Sequence, residues 1–141
     1  MNKNIRLRIK NLIKKYNTSD PAILCEKLGI IVLYDDLGDL KGYYKHPRGR
    51  KVIVVNSLLS KFAQVIVLAH ELGHAVLHSN STAAYLHNNV RFHDTIMENE
   101  ANKFAAELLA NYEDETDYYY EDMTEYEHDR KLLEKLKSYL N

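Results

Sequence analysis

The sequence predicts an α+β fold in a single domain spanning residues 1–141, with N-terminal helices, a small antiparallel sheet, two long packed helices and a C-terminal helix. Short runs rich in β-branched residues lie between residues 30 and 55, separated by turn-length connections. Apolar residues at helical spacing precede and follow those runs. A chain of 141 residues is also long enough for one domain to bury a hydrophobic core.

Two helices are predicted before the sheet. Residues 4–16 place apolar residues at helical spacing among basic residues, which are Arg6, Arg8, Lys10, Lys14 and Lys15. Such a basic face suits a nucleic-acid or membrane contact, but a solvated helix face is the commoner explanation. A second, short helix is expected to begin at Pro21 with Asp20 as its N-cap, and Gly29 ends it.

The predicted sheet has strands at residues 30–34, 42–45 and 51–55. Glycine and polar residues between them, at 37–42 and 46–50, are typical of turns. Short strands joined by turn-length connections favour a small antiparallel sheet.

Helical periodicity resumes near residue 58 and continues to Leu77, and this stretch contains His-Glu-x-x-His. A spacing of four residues places His70 and His74 on one helix face, where two imidazoles can share one zinc ion. Glu71 lies about 100° round the helix, off that row but close enough to accept a proton from an attacking water. A buried helix that merely carries two histidines is the alternative, but unpaired polar groups are costly to bury.

His78 extends the histidine series by one more turn. On a straight helix it lies about 12 Å along the axis from His70. Zinc–nitrogen bonds are only about 2.0–2.1 Å long, so one ion cannot join these two residues. His78 is therefore interpreted as a helix C-terminal residue that interacts with the helix dipole or the free carbonyl groups.

Residues 95–110 form the next predicted helix, whose apolar stripe consists of Met97, Ala101, Phe104, Ala105, Leu108 and Leu109. A zinc ion held by two histidines needs at least one further protein ligand, and Glu98 and Glu100 both flank the stripe. Glu98 is favoured because Asn102 lies four residues later on the same face and can orient a ligand histidine. Glu100 has Phe104 at that offset, which offers no such hydrogen bond.

These residues resemble the ImmA/IrrE family of zinc metallopeptidases. The resemblance is carried by Ala69-His70-Glu71-Leu72-Gly73-His74 and, after a spacer, by Glu98-x-x-Ala101-Asn102-x-Phe104-Ala105-x-x-Leu108-Leu109. Similar pieces upstream are Gly42-Tyr43, the strand 52–55 and Asn56-Ser57, so the resemblance covers about residues 29–110.

The resemblance implies a zinc-dependent intracellular endopeptidase whose protein substrate is commonly a helix-turn-helix repressor of a mobile element or stress regulon. His70, His74 and Glu98 are then the metal ligands, and Glu71 is the catalytic base and later acid in peptide-bond hydrolysis by a zinc-activated water. The alternative is a non-catalytic, zinc-containing anti-repressor that acts by binding its partner. An idle site of that kind would have no need of Glu71.

A second donor to the oxyanion is expected, and the sequence leaves the choice open among Tyr43, Tyr44, His87 and His93. His87 and His93 belong to a polar stretch, residues 79–94, that is predicted to be a loop.

The C-terminal part departs from the family pattern. Ala110-Asn111-Tyr112 follows the Leu-Leu pair, where family members often continue with Met-Pro. An acidic, tyrosine-rich segment then extends over residues 112–129, densest at 112–122, as a solvated loop or a docking or gating segment beside the cleft. A final helix is predicted at about 126–140.

Composition limits the classes of partner and the cellular compartment that we expect for this chain. The formal net charge of −1 provides no global field that attracts nucleic acid, so direct nucleic-acid binding is not expected. No apolar run approaches the roughly 20 residues that span a bilayer, and no signal-peptide pattern opens the chain. Cys25 is the single cysteine, which fits a reducing compartment. We therefore expect a cytoplasmic protein with a protein partner and no membrane partner.

Overall fold

The computed structural model describes residues 4–78, 95–112 and 123–140. Its elements are α1 (Ile5–Tyr16), α2 (Pro21–Lys27), β1 (Ile31–Asp35), β2 (Gly42–Lys45), β3 (Val52–Asn56), α3 (Lys61–Leu77), α4 (Thr95–Ala110) and α5 (Met123–Lys137), with a 3-10 turn at Pro47–Gly49. The predicted α+β class is confirmed. The predicted loop 79–94 and the acidic run 113–122 lie outside the described residues. No helix in the described ranges has the length and apolar character needed to cross a bilayer.

The sheet is mixed, so the prediction of a wholly antiparallel sheet is wrong. The strand order is β1-β3-β2. β2 runs antiparallel to β3, with Tyr44 opposite Ile53, whereas β1 runs parallel to β3, with Ile31 beside Val52. The connection after β1 carries the chain to the far edge of the sheet, and β3 then returns through the middle in the direction of β1. Neighbours in sequence are therefore not always neighbours in the sheet, which short connections alone do not reveal.

Buried Asn56 holds the connection between β1 and β2 in place. Its side-chain nitrogen donates to the carbonyl oxygens of Gly38 and Leu40, each at 2.9 Å. Its side-chain oxygen accepts from the backbone N–H groups of Leu37 and Leu58 at 3.3 and 3.0 Å. These bonds satisfy backbone groups that the loop itself leaves unpaired, and they tie the loop to the end of β3.

Capping side chains mark the beginnings of the helices. Asp20 accepts a backbone hydrogen bond at 2.9 Å at the start of α2, as predicted. Ser60 caps α3 by accepting from the Ala63 N–H at 3.1 Å, so this helix begins slightly later than predicted. The same hydroxyl donates to the buried carboxylate of Asp129 at 2.7 Å. The start of α3 thus also anchors α5.

Helix α3 is the buried centre of the fold, because it packs against the sheet and against α4. A Cβ atom on Gly73 would lie 3.1 Å from Phe104 Cβ and 3.2 Å from the backbone of Ala101. A Cβ atom on Gly42 would lie 2.7 Å from Val67 Cγ1. Glycine at these two positions therefore lets α4 and β2 approach α3 closely from different sides.

The single cysteine gives a test of the packing of α2. Cys25 is fully buried, and burial together with the negative charge of Asp20 raises the pKa of its thiol to about 12. Because the thiolate is the reactive form, Cys25 should not react with a chromogenic disulfide reagent near neutral pH while the chain is folded. One equivalent should react in denaturant. Rapid labelling of the folded chain would contradict this placement of α2.

Candidate metal centre

Helices α3 and α4 bring together the three predicted ligand residues. His70 and His74 come from successive turns of α3, and Glu98 comes from the first turn of α4. One possible ligand atom from each lies within 4.8 Å of the others. Glu98 Oε1 is 2.8 Å from His74 Nε2, and Glu98 Oε2 is 3.1 Å from His70 Nε2. Two imidazole nitrogens and one carboxylate oxygen are a donor set typical of zinc sites that keep an open position.

The spacing of these atoms fits a small metal ion. Tetrahedral ligands about 2.0–2.1 Å from a zinc ion lie about 3.3 Å from each other, so the two contacts of Glu98 need to lengthen only slightly. The structure places Glu98 in this group and directs Glu100 elsewhere.

Hydrogen bonds within the group determine the charge of Glu98. Burial opposes its ionisation, but the hydrogen bonds to His70 and His74 outweigh that effect and hold the pKa of Glu98 well below its usual range. Burial favours neutral His70, yet its hydrogen bond to Glu98 and the nearby charge of Glu71 raise the pKa of His70 above its ordinary value. Glu98 is therefore a carboxylate near neutral pH, which is the form that binds a cation.

Glu71 has a different environment, although it lies beside the same group. Its side chain is buried, and Oε2 is 4.0 Å from His70 Nε2. Within the described part of the chain, Oε1 has no hydrogen-bond partner. Burial raises the pKa of Glu71 to about 7, with a further upward contribution from Glu98 and a downward one from His70. A carboxyl group with a pKa near the working pH can both accept and return a proton.

A cavity of about 240 Å³ opens onto these side chains. His70, Glu71 and Glu98 line it together with apolar residues of α3 and α5, which include Ile66, Val67, Leu132 and Leu136. The other polar residues of the lining are Lys41, Asn102, Lys135 and Tyr139. The cavity therefore combines an apolar wall with a few convergent polar groups, as small-molecule and peptide sites commonly do.

The ring of His70 is held from its other side by Asn102. His70 Nδ1 lies 2.8 Å from Asn102 Oδ1, the role that the spacing of Glu98 and Asn102 predicted. Asn102 Nδ2 donates in turn to the hydroxyl of Tyr139 at 3.0 Å. The sequence analysis missed Tyr139, which lies just beyond α5. Its position three residues after Leu136, on the apolar stripe of the last helix, is the signal that was available.

The ring of His74 is held from its other side by His78. The two Nδ1 atoms are 3.0 Å apart, and His78 Nε2 lies 2.9 Å from Glu100 Oε1. His78 also ends α3, with its backbone N–H bonded to the carbonyl of His74 at 2.8 Å. His78 thus lies at the end of the helix as predicted, but its backbone makes the capping bond while its side chain contacts His74 and Glu100. Glu100, to which the sequence assigned no contact at the site, thus reaches His78 across the two helices.

The two oxyanion-donor candidates that the structure describes, Tyr43 and Tyr44, do not line the cavity. Tyr44 is fully buried, and neither Tyr43 nor Tyr44 is among the residues that line it. His87 and His93 lie outside the described residues. Tyr139 is the described tyrosine that reaches the cavity.

Comparison with known proteins gives a family and two relatives. The sequence model of the family described as Peptidase_M78, IrrE N-terminal-like domain, matches residues 25–141. "Uncharacterized immunity region protein 2" of Bacillus phage phi105 is 39% identical over 106 residues, which cover 74% of this chain and 67% of that protein. "Metallopeptidase ImmA" of Bacillus subtilis (strain 168) is 28% identical over 107 residues, which cover 76% and 63%. The chain thus spans about two thirds of the length of these relatives.

Asn102 allows a test of how His70 is held. Asn102→Ala should weaken the affinity for a divalent transition metal on the order of 10–100-fold, because the ring of His70 loses the group that orients it. Asn111→Ala is the matched control, since Asn111 Nδ2 bonds only to the carbonyl of Glu107 near the end of the same helix. Competition titrations against a chromogenic chelator measure both. Equal affinities of the two variants would show that Asn102 does not support the metal centre.

Proposed function

The chain belongs to the Peptidase_M78 family, the IrrE N-terminal-like domain, and on that premise we propose that it is a zinc-dependent endopeptidase. The resemblance to the ImmA/IrrE family seen in the sequence is confirmed by this match. The observation that carries the proposal is the convergence of His70, His74 and Glu98 beside a cavity that Glu71 also lines, with a buried Glu71 oxygen that has no hydrogen-bond partner among the described residues.

Zinc is the metal that this donor set favours. Two nitrogens and one oxygen suit a divalent transition metal, whereas calcium and magnesium prefer shells made of oxygen atoms, and the His-Glu-x-x-His spacing favours zinc among the transition metals. When bound, zinc supplies an activated water and polarises the scissile carbonyl group.

Glu71 is the proposed catalytic residue. Its buried carboxylate removes a proton from the attacking water and returns that proton to the nitrogen of the leaving amine, so the charge of the residue is restored at the end of the cycle. Burial serves this purpose because it raises the pKa of the carboxyl group to about 7. His70, His74 and Glu98 are the proposed metal ligands, and Asn102 orients His70.

The proposed substrate is a protein, namely a helix-turn-helix repressor of a mobile element or stress regulon. One relative is named for a phage immunity region and another is named a metallopeptidase, which together support this class of substrate. The apolar wall formed by Leu132 and Leu136 suits an apolar side chain beside the scissile bond. A single cysteine among 141 residues agrees with the cytoplasm as the proposed compartment.

The alternative is a zinc-containing anti-repressor that inactivates its partner by binding alone. Glu71 argues against it. Leaving a buried carboxyl oxygen without a partner costs about 1–3 kcal/mol, and a purely structural zinc site gains nothing from that cost.

Zinc content is the first test. The chain purified without chelator should contain about one equivalent of zinc, as measured by elemental analysis, and His70→Ala should lose it because two remaining ligands hold the ion poorly. A parent chain that neither contains nor takes up a divalent transition metal would rule out the proposed function.

A second test separates cleavage from binding. Glu71→Gln keeps the size of the side chain but removes the base, so it should retain zinc while cleavage of the cognate helix-turn-helix repressor falls at least roughly 10²–10⁴-fold. Glu107→Gln, which alters a carboxylate paired with Lys103 on α4, is the matched control and should cleave like the parent. Gel electrophoresis follows cleavage, and a reporter gene follows repression. Full relief of repression by Glu71→Gln would favour the binding alternative.

A further inference from the structure

A third histidine, His78, and a third glutamate, Glu100, extend the contacts of the metal centre away from the cavity. His74 presents Nε2 to Glu98 and Nδ1 to His78, while His78 presents Nδ1 to His74 and Nε2 to Glu100. The successive separations are 2.8, 3.0 and 2.9 Å, so Glu98, His74, His78 and Glu100 form one continuous line of contacts. We call this line the Glu100–His78 relay.

The contact between two Nδ1 atoms constrains where the ring protons lie. At 3.0 Å one nitrogen must donate and the other must accept, so one Nδ1 atom carries a proton and the other carries a lone pair. A histidine that binds metal through Nε2 keeps its proton on Nδ1. His74 is therefore the donor, and His78 Nδ1 is the acceptor.

Glu100 selects the tautomer of His78 that this arrangement needs. A neutral His78 that accepts at Nδ1 carries its proton on Nε2, where it donates to the carboxylate of Glu100 at 2.9 Å. The opposite tautomer would set a lone pair on Nε2 against that carboxylate and a proton on Nδ1 against the proton of His74. Both contacts would then be repulsive.

We propose that Glu100 and His78 are positioning residues that hold His74 in the tautomer, and in the ring orientation, required to bind the metal. The proposal rests on the metal site of the proposed function and assigns a role to two residues outside its ligand set. The relay matters because both of its histidines are buried. His74 is fully buried and His78 is 6% exposed, so bulk water cannot readily replace a lost partner.

The packing of α3 against α4 brings the four residues of the relay into contact. The four-residue spacing of His74 and His78 places their rings side by side on one face of α3, tilted by 48° with centroids 5.1 Å apart. Glu98 and Glu100 reach this row from α4 at two points, one at each outer Nε2 atom. The carboxylate of Glu100 contacts Nε2 of His78. It thus acts on the metal centre through the imidazole rings of His78 and His74.

Zinc affinity in four variants tests the relay, with competition against a chromogenic chelator as the measurement. His78→Ala removes the acceptor and should weaken zinc binding on the order of 10–100-fold. His78→Asn places an amide oxygen near the former Nδ1 position and should stay within about threefold of the parent, because an acceptor for His74 is kept. Glu100→Ala should weaken binding in the parent background but not in the His78→Asn background, because an amide oxygen accepts without selection of a tautomer.

The control is Glu107→Ala, which removes another carboxylate of α4 that pairs with Lys103 instead. It should leave zinc affinity unchanged. Thermal unfolding of each metal-free variant separates lost metal affinity from lost folding. In the zinc-bound parent, nitrogen-15 spectra of the imidazole rings should show the proton of His74 on Nδ1 and that of His78 on Nε2.

Two results would overturn the relay. One is parent-like zinc affinity in both His78→Ala and Glu100→Ala. The other is an equal loss from Glu100→Ala in both backgrounds, which would mean that its charge acts directly and not through the tautomer of His78. If His78→Ala does not fold, the two backgrounds of Glu100→Ala still decide. If the parent binds zinc and the variants bind it equally well, the relay is refuted and the proposed function stands. If the parent binds no zinc, both are refuted.

Discussion

The close approach of α3 and α4 is the constraint on which the rest of the site depends. Gly73 leaves room for the backbone of Ala101 and for Phe104, so the two helices pass with almost no side chain between them. Carboxylate and amide groups on α4 can therefore reach imidazole rings on α3. Glu98 contacts both predicted ligand histidines, Glu100 contacts His78, and Asn102 contacts His70. A larger separation would leave each of these polar groups buried without its partner, at a cost that packing alone would not recover.

Two glutamates on adjacent helices show how environment divides chemical roles between residues of one type. Glu98 lies within hydrogen-bonding distance of two imidazole nitrogens, and this proximity lowers its pKa despite its partial burial. Glu71 is more deeply buried and lacks such bonds, so its pKa rises to about 7. Carboxyl groups whose pKa values are pushed in opposite directions are suited to different tasks. The first is a permanent anion for a cation to bind, and the second can exchange a proton.

Much of the fold and of the centre of the site follows from local sequence patterns. Helix starts depend on caps such as Asp20, and the shared face of His70 and His74 depends on helical spacing, so both were predictable. The favoured glutamate also followed from spacing, through its pairing with Asn102. The parallel pairing of β1 and β3 was not predictable, because it depends on which edge of the sheet receives β2. Strand order of this kind is set by contacts between residues distant in sequence.

Tyr139, which the sequence did not predict as part of the site, is also placed by contacts between residues distant in sequence. Tyr139 reaches Asn102 because α5 packs beside α3 and α4, where Leu136 meets the core and Asp129 bonds to Ser60 at the start of α3.

His78 and Glu100 were misjudged because each was considered on its own helix. On α3 alone, His78 is too far from His70 to share a metal ion, and on α4 alone, Glu100 has no polar neighbour one turn later. Across the gap between the helices they meet, and their pairing places a carboxylate at each end of the relay. The carboxylate of Glu100 is separated from the proposed cation site by the rings of His78 and His74. It can therefore orient His74 without adding a negative charge to the ligand set. In the proposed metalloenzyme, this arrangement would leave a coordination position open for a substrate.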